Sequence, residues 1–508
     1  MQVVVTGDPL TVEEVVAVAR RRASAVLGRK VAARMAPARR VVEAALASDA
    51  VVYGVTTGFG ALASTRVGRE EAADLQVNLL RSHAAGVGEP LPDGLVRAML
   101  LLRARTLSQG HSGIRPVVVE RLLDLLAADL LPVVPGLGSV GASGDLAPFA
   151  HLALPLIGEG RVRSGGRVVE ASEGLRAAGL EPVRLEAKEG LSLLNGTEGM
   201  LAMTCLGIDR AARLSRAADA SCAMSVEALL GSSRPFRADI HKLRPHPGQL
   251  QSARRIAHLL EGSELGASHA DDFAHAVQDA YSLRCAPQVH GAVNDTIEHG
   301  RRVASVELGA VVDNPIVFPE TSEVVSGGNF HGAPLGFVLD FVGIAVTELG
   351  SISERRIDRM LDPQHSSGLP AFLSPSAGLH SGYMLAQYTA AALVAECRVL
   401  SHPASIDSIP TSGSQEDHVS MGWGAGRKLG EILDNIARVI AAELVVAAQG
   451  IEFRKPLRPA PGVEAIWQGV REIVPVLTAD RPIGEEVEAI ASFLEAGRVD
   501  EICGWKDL

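Results

Sequence analysis

Gly138-Ser139-Val140-Gly141-Ala142-Ser143-Gly144-Asp145-Leu146-Ala147-Pro148 is the stretch on which the reading of the chain turns. Three readings compete for it. Gly136-x-Gly138-x-x-Gly141 matches a dinucleotide fingerprint, with Glu159 18 residues beyond Gly141. That reading requires a βαβ unit and a helix opening at the third glycine. Pro148 and Pro155 interrupt the segment that follows, and the chain shows no alternating βαβ pattern. A plain Gly-rich turn between helices is the second reading. The third is chemical. Gly144 has no side chain, so its nitrogen can approach the Ala142 carbonyl in a turn that other residues would block. Ring closure with loss of one water, then loss of the Ser143 hydroxyl as a second, leaves an exocyclic alkene conjugated to carbonyls. Such a group is an electrophile, which no ordinary side chain provides.

Working outward, the chain has 508 residues, 47% of them hydrophobic and 21% charged. This is ample apolar material for a large core and excludes a disordered chain. Aromatic residues are 4%, so Ala, Val and Leu must build that core, which favours closely packed helices. The net charge of −11 argues against a nucleic-acid partner, which wants a basic stripe. Five scattered cysteines without a CxxC pair read as reduced thiols in a cytoplasmic protein with no zinc module. The start, MQVVVTGDPL, shows no secretory signal. The most apolar runs contain charges, Asp340 and Glu348 in one and Arg438 and Glu443 in another, so they read as buried helices rather than membrane spans.

Local signals give a strand at Val3–Val5, a turn at Gly7-Asp8-Pro9, then a helix opened by a Thr11/Glu14 capping box with Leu10 stapled to Val15. Val162 and Val168 flank a hairpin turn at Ser164-Gly165-Gly166-Arg167. From about residue 200 helix follows helix, broken at Arg244-Pro245-His246-Pro247-Gly248. A long helix spans Leu335 to about Leu361, with Phe337, Phe341 and Ile344 at helical spacing. Lys455 to Gly462 reads as a Pro-rich linker to a last helical segment. The expected fold is mainly α: a mixed N-terminal region, 1–200, holding the loops, and a long-helix bundle, 201–508.

Further blocks join the central loop. They are Tyr53-Gly54-Val55-Thr56-Thr57-Gly58-Phe59-Gly60, Ser82-His83-Ala84-Ala85-Gly86, Leu194-Asn195-Gly196-Thr197, Gln278 to Gln288 (QDAYSLRCAPQ), Gly328-Asn329-Phe330-His331-Gly332 and Gln415-Glu416-Asp417-His418-Val419-Ser420-Met421. With these blocks in this order, the whole chain resembles the histidine ammonia-lyase family, whose members carry the 4-methylideneimidazol-5-one (MIO) group. The resemblance implies MIO formed from Ala142-Ser143-Gly144, no external cofactor and no metal. It implies elimination of ammonia from L-histidine to give trans-urocanate, the alternative being a tyrosine or phenylalanine lyase or 2,3-aminomutase of the same family. It also implies a homotetramer with active sites assembled from several chains. The helical architecture is shared with fumarase/aspartase lyases, but their Gly-Ser-Ser-x-Met-Pro loop is absent.

The resemblance assigns the site residue by residue. Tyr53 is the base for the β-proton. Arg284 clamps the substrate carboxylate, since a guanidinium matches it bidentately. Gln278, Tyr281 and Arg284, at i, i+3 and i+6, would share one face of a helix. Asn195, by itself a turn former, corresponds to an Asn that contacts substrate and MIO. His83 followed by Ala84 points to imidazole recognition, Glu416 to a polar ring or an ammonium, and Met384 and Phe330 to pocket walls. Ser412-Gly413-Ser414 departs from the Ala-Asn expected before Gln415, which touches pocket detail.

Overall fold

The computed structural model describes residues 1–48, 57, 68, 71–269 and 278–505. Contacts divide the chain into two units, each discontinuous in sequence. The first comprises Met1–Asp209, Gly300–Asp340 and Pro403–Arg427; the second comprises Arg210–His299, Phe341–His402 and Lys428–Leu508. Segments 300–340 and 403–427, grouped with the bundle by the sequence reading, therefore pack with the N-terminal unit.

The first unit is mixed, as its sequence implies. Strand Gln2–Val5 pairs in parallel with Ser24–Leu27. The helix between them, Val12–Ala19, opens on the Thr11/Glu14 capping box. Arg161–Ser164 and Arg167–Glu170 form the expected hairpin, with Ser164 opposite Arg167. Helix Asp93–Leu107 is buried from Leu95 onward, three arginines included. Arg103 reconciles its charge with that burial. It pairs with Glu198 at 2.6 Å, donates to the Ser192 and Asn195 carbonyls and lies over the Phe149 ring. A two-stranded hairpin, Ile316–Phe318 with Glu323–Val325, stands where the sequence reading had only helices. Each strand is three residues long, too short for alternation to register.

The second unit is helical. Helices Ala238–Lys242, Pro247–Leu259, Met384–Leu400, Pro461–Arg471 and Gly484–Glu495 belong to it, together with stretches of Glu198–Ala228, Ala286–Glu307, Ala333–Leu361 and Gly422–Glu452. The interior is aliphatic: Ala437, Ile440, Ala441, Leu444, Val445 and Ala448 are all buried. Gly350 allows close approach, since a Cβ there would meet Ile436 Cδ1 at 2.4 Å. Glu443, one of the charges that excluded a membrane span, lies in this core. It is held by Arg356 and by the hydroxyls of Ser221, Ser225 and Ser353; a buried carboxylate needs such full satisfaction. Helix Ala333–Leu361 is long and apolar enough to cross a membrane by length and composition, yet 67% of its apolar window is buried within the chain. The expected break at 244–248 separates helices Ala238–Lys242 and Pro247–Leu259. The Pro-rich linker ends two residues early, because Pro461 starts the next helix from the first-turn position that proline favours.

Candidate active site

Strand Pro135–Leu137 leads into the Gly-rich loop, and helix Leu146–Ala153 leaves it. A helix does open after the glycines. Pro148 does not prevent it, because a first-turn residue has no intrahelical N–H bond to lose. Strand Pro135–Leu137 pairs antiparallel with Val87–Pro90, so the βαβ unit of a dinucleotide site is not formed here.

Segment Ser420–Trp423 clamps the loop. Ser420 Oγ donates to the Gly141 carbonyl at 3.0 Å, Met421 N–H to Val140 at 2.9 Å and Trp423 Nε1 to Gly136 at 2.9 Å. A Cβ on Gly141 would sit 2.2 Å from Ser420 Oγ. Gly144 holds φ +69° and bridges Gly196; a Cβ there would lie 2.0 Å from the Gly196 carbonyl oxygen. Only glycine fits on both counts. Asp145 anchors the far end. Its N–H donates to the Gly196 carbonyl at 2.9 Å, and its carboxylate accepts from Met200 N–H at 2.9 Å and Ser139 Oγ at 3.3 Å. Burial pushes its pKa up to about 7, against those hydrogen bonds.

Ser143 is half-buried, and its hydroxyl donates to Glu416 Oε1 at 3.1 Å. Glu416 Oε2 accepts from Thr411 Oγ1 at 2.7 Å, while the backbones of Thr411 and Glu416 pair around the turn at Ser412–Ser414. That turn holds Ser412, Gly413 and Ser414 at φ +51°, +61° and +66°, so the departure noted in sequence falls on an uncommon backbone conformation. His83 ends helix Ala72–His83. Its Nδ1 lies 3.0 Å from the Leu79 carbonyl. A carbonyl only accepts, so Nδ1 carries the proton and Nε2 is left as an acceptor. Burial pulls the His83 pKa down, while the Leu79 hydrogen bond and the charge of Glu416 oppose the shift.

Asn195 caps the C-terminus of helix Glu189–Leu194. Its Nδ2 donates to the Asn314 carbonyl at 3.0 Å, and its buried Oδ1 has no donor among the described residues. Phe330 sits half-buried in the turn before Gly332. The next residue, His331, stacks on His418 with centroids 5.7 Å apart, linking the Phe330 turn to the Glu416 segment.

The first unit thus brings together Ala142-Ser143-Gly144, His83, Asn195 and Glu416. Gln278, Tyr281, Arg284 and Met384 belong to the second unit. There the shared helical face expected for Gln278, Tyr281 and Arg284 is not formed. The helix is only Tyr281–Arg284, with Ala280 extended as its cap, which leaves Gln278 outside it. Tyr281 and Arg284 do meet: the guanidinium lies 4.5 Å from the ring centroid, on a tyrosine that is 71% exposed. Arg284 Nε donates to the Asp279 carbonyl, and no carboxylate among the described residues holds its terminal nitrogens. Met384 is half-buried at the start of helix Met384–Leu400. Tyr53 and its loop lie outside the described residues, apart from buried Thr57. Thr411 and Asn314 went unread in sequence; Ser420, His331 and His418 stood inside quoted blocks, but nothing local marks Ser420 as a clamp or the two histidines as partners.

Residues 10–472 match a family model described as aromatic amino acid lyase. The chain is 50% identical over 99% of its length to a histidine ammonia-lyase of Gloeobacter violaceus, covering 98% of it. It is 52% identical over 96% of its length to one of Deinococcus radiodurans, covering 93% of it. Among solved structures, histidine ammonia-lyase from Trypanosoma cruzi superposes with TM-score 0.91 at 42% identity, covering 99% of this chain and 95% of that one. Tyrosine aminomutase from Streptomyces globisporus superposes with TM-score 0.95 at 39% identity, covering 100% and 99%.

Proposed function

The chain belongs to the aromatic amino acid lyase family, and from that premise we propose that it is a histidine ammonia-lyase, converting L-histidine to trans-urocanate and ammonia. The observation that carries the reading is the hydrogen bond from Ser143, the central residue of Ala-Ser-Gly, to Glu416, with His83 close enough to feel the same carboxylate. A substrate with a polar ring suits such surroundings; an unsubstituted phenyl ring would offer no donor to His83 Nε2 or to the Glu416 oxygen that Thr411 does not hold, which is costly in a desolvated pocket.

The loop fits an MIO group formed from Ala142, Ser143 and Gly144. Gly144 is held where no side chain can enter, and the residue before its bridge partner, Asn195, offers a buried acceptor without a donor among the described residues. The group would supply an electrophilic alkene that makes the substrate nitrogen a better leaving group. The chain's own side chains bind and deprotonate. Arg284 holds the carboxylate through nitrogens that no described carboxylate occupies. His83 Nε2 accepts the imidazole N–H, Glu416 orients the polar ring or the ammonium, and Asn195 Oδ1 receives an amino N–H. Gln278 supports the carboxylate end, Tyr281 acts with Tyr53 as a catalytic residue, and Phe330 and Met384 wall the ring. Tyr53 takes the β-proton. The enzyme needs no metal or external cofactor and works in the cytoplasm as a homotetramer. Phe337, Phe341 and Ile344, at 60%, 48% and 42% exposure, form an apolar stripe on one helix that a second copy would cover.

The test offers histidine, tyrosine and phenylalanine to the purified protein and follows the absorbance of the conjugated product, with intact mass measured on the same sample. Histidine should react, on a chain lighter by two waters. Turnover of tyrosine or phenylalanine in preference to histidine would move the substrate assignment within the family.

Replacing Glu416 with Gln checks the pocket. Losing a charge-assisted contact costs about 1.5–3 kcal/mol, so kcat/KM for histidine should fall roughly 10- to 100-fold. The carboxylate favours protonated His83. Its removal lowers the His83 pKa further, and the acid limb of the kcat/KM profile should move to lower pH. A limb that moves upward would contradict the assignment.

A further inference from the structure

Lys188 and Asp313 have no part in the roles above, yet they form a fully buried ion pair. Lys188 Nζ donates to Asp313 Oδ2 at 2.9 Å and to Ser192 Oγ at 3.0 Å, and Ser192 Oγ donates to the same Oδ2 at 2.8 Å. Lys188 also holds φ +71°, a conformation kept where surroundings over-determine it. Desolvation pulls its pKa down, with Asp313 opposing. Stability is a poor account of the pair, since apolar residues of similar volume often serve a core as well or better. What it touches is more telling. Asp313 Oδ1 accepts the Asn314 N–H at 2.7 Å. The Asn314 carbonyl accepts Asn195 Nδ2, and Asn314 Oδ1 accepts from Gly327 N–H at 2.8 Å and Ser326 Oγ at 3.2 Å, just before the Phe330 turn.

We propose that Lys188 and Asp313 are positioning residues, which fix Asn314 and through it hold the Asn195 amide with its oxygen turned out as a free acceptor. Flipping the amide would set its oxygen against the Asn314 carbonyl oxygen, two acceptors with no proton between them. The same node steadies the approach to Phe330, so one buried pair serves two walls of the pocket. The inference rests on Asn195 contacting the substrate.

The test compares three variants with wild type: Lys188→Met/Asp313→Val, Lys188→Met/Asp313→Asn and Asn195→Ala. Both double variants remove the two charges together, so no ion is stranded. Only Asp313→Asn keeps an acceptor for the Asn314 N–H. Crystal structures should show the Asn195 amide turned or split in the Val variant and restored in the Asn variant. In the Val variant kcat/KM for histidine should fall about tenfold with the two-water mass deficit retained, and the Asn variant should recover most of it. An unmoved amide with wild-type turnover in the Val variant overturns the proposal. So does an Asn195→Ala enzyme as active as wild type, which leaves the lyase reading standing. Density at Asn195 needs no turnover, so wild-type protein inert toward histidine would sink the lyase reading while the amide still decides the positioning. If the Val variant does not fold, Ser192→Ala takes one hydroxyl from the same node; it should move kcat/KM the same way by about threefold, and no change in rate or density there overturns the proposal too.

Discussion

Ser143→Ala should yield a chain that lacks the two-water mass deficit and whose histidine turnover is lower by about 10³-fold or more. The second water must come from the Ser143 hydroxyl. Alanine has nothing to expel, so no exocyclic alkene can form. The loop should survive the change. Its clamps are the Gly141, Val140 and Gly136 carbonyls and the Asp145 carboxylate, and none uses Ser143. The one side-chain bond of Ser143 goes to Glu416 in the uncyclised chain and leaves with the hydroxyl in mature wild type too, while Glu416 keeps Thr411. A half-buried serine with one such bond is worth about 0.5–1.5 kcal/mol, too little to unfold the protein. Circular dichroism and the melting temperature should stay near wild type while mass and rate change together. A variant that kept a near-normal rate would show that the electrophile lies elsewhere.

The local features were legible because their signals are local. Thr11 and Glu14 are three residues apart, and the hairpin turn at Gly165-Gly166 is two residues long. The candidate site was legible only through its blocks. Ser143 and Glu416 stand 273 residues apart, and no periodicity joins positions at that distance. The same limit hid the return of 300–340 and 403–427 to the first unit, which is how Asn314 and Glu416 reach the loop. The helical face expected for Gln278, Tyr281 and Arg284 failed for a nearer reason. Spacing shows which residues would align if a helix formed, but extended Ala280 and the break at Cys285 allow it a single turn. Glu443 misleads in the other direction: a charge inside an apolar run excluded a membrane span, but the physics that tolerates it is a buried partner, Arg356, 87 residues away in sequence.

Tyr53→Phe should keep the two-water mass deficit and lose elimination by about 10²- to 10⁴-fold, the usual worth of a positioned base. Phenylalanine preserves the ring and removes the one oxygen able to take the β-proton. Histidine should still bind, because the groups that hold it, Arg284, His83, Glu416 and Asn195, are untouched; equilibrium dialysis reads that directly. The structure also names the candidates that would inherit the role. Glu416 keeps Thr411 on one oxygen, and its other oxygen is released once the Ser143 hydroxyl has left, but a carboxylate is a far weaker base than a phenolate. His83 Nε2 has no partner among the described residues, but burial lowers its pKa and so weakens it as a base. A phenol near pH 10 is a stronger base once ionised, provided positive charge or donors stabilise the phenolate at working pH. Should Tyr53→Phe run within tenfold of wild type, the base becomes His83 Nε2, and His83→Ala, not Tyr53→Phe, should then be the variant that binds histidine without releasing ammonia.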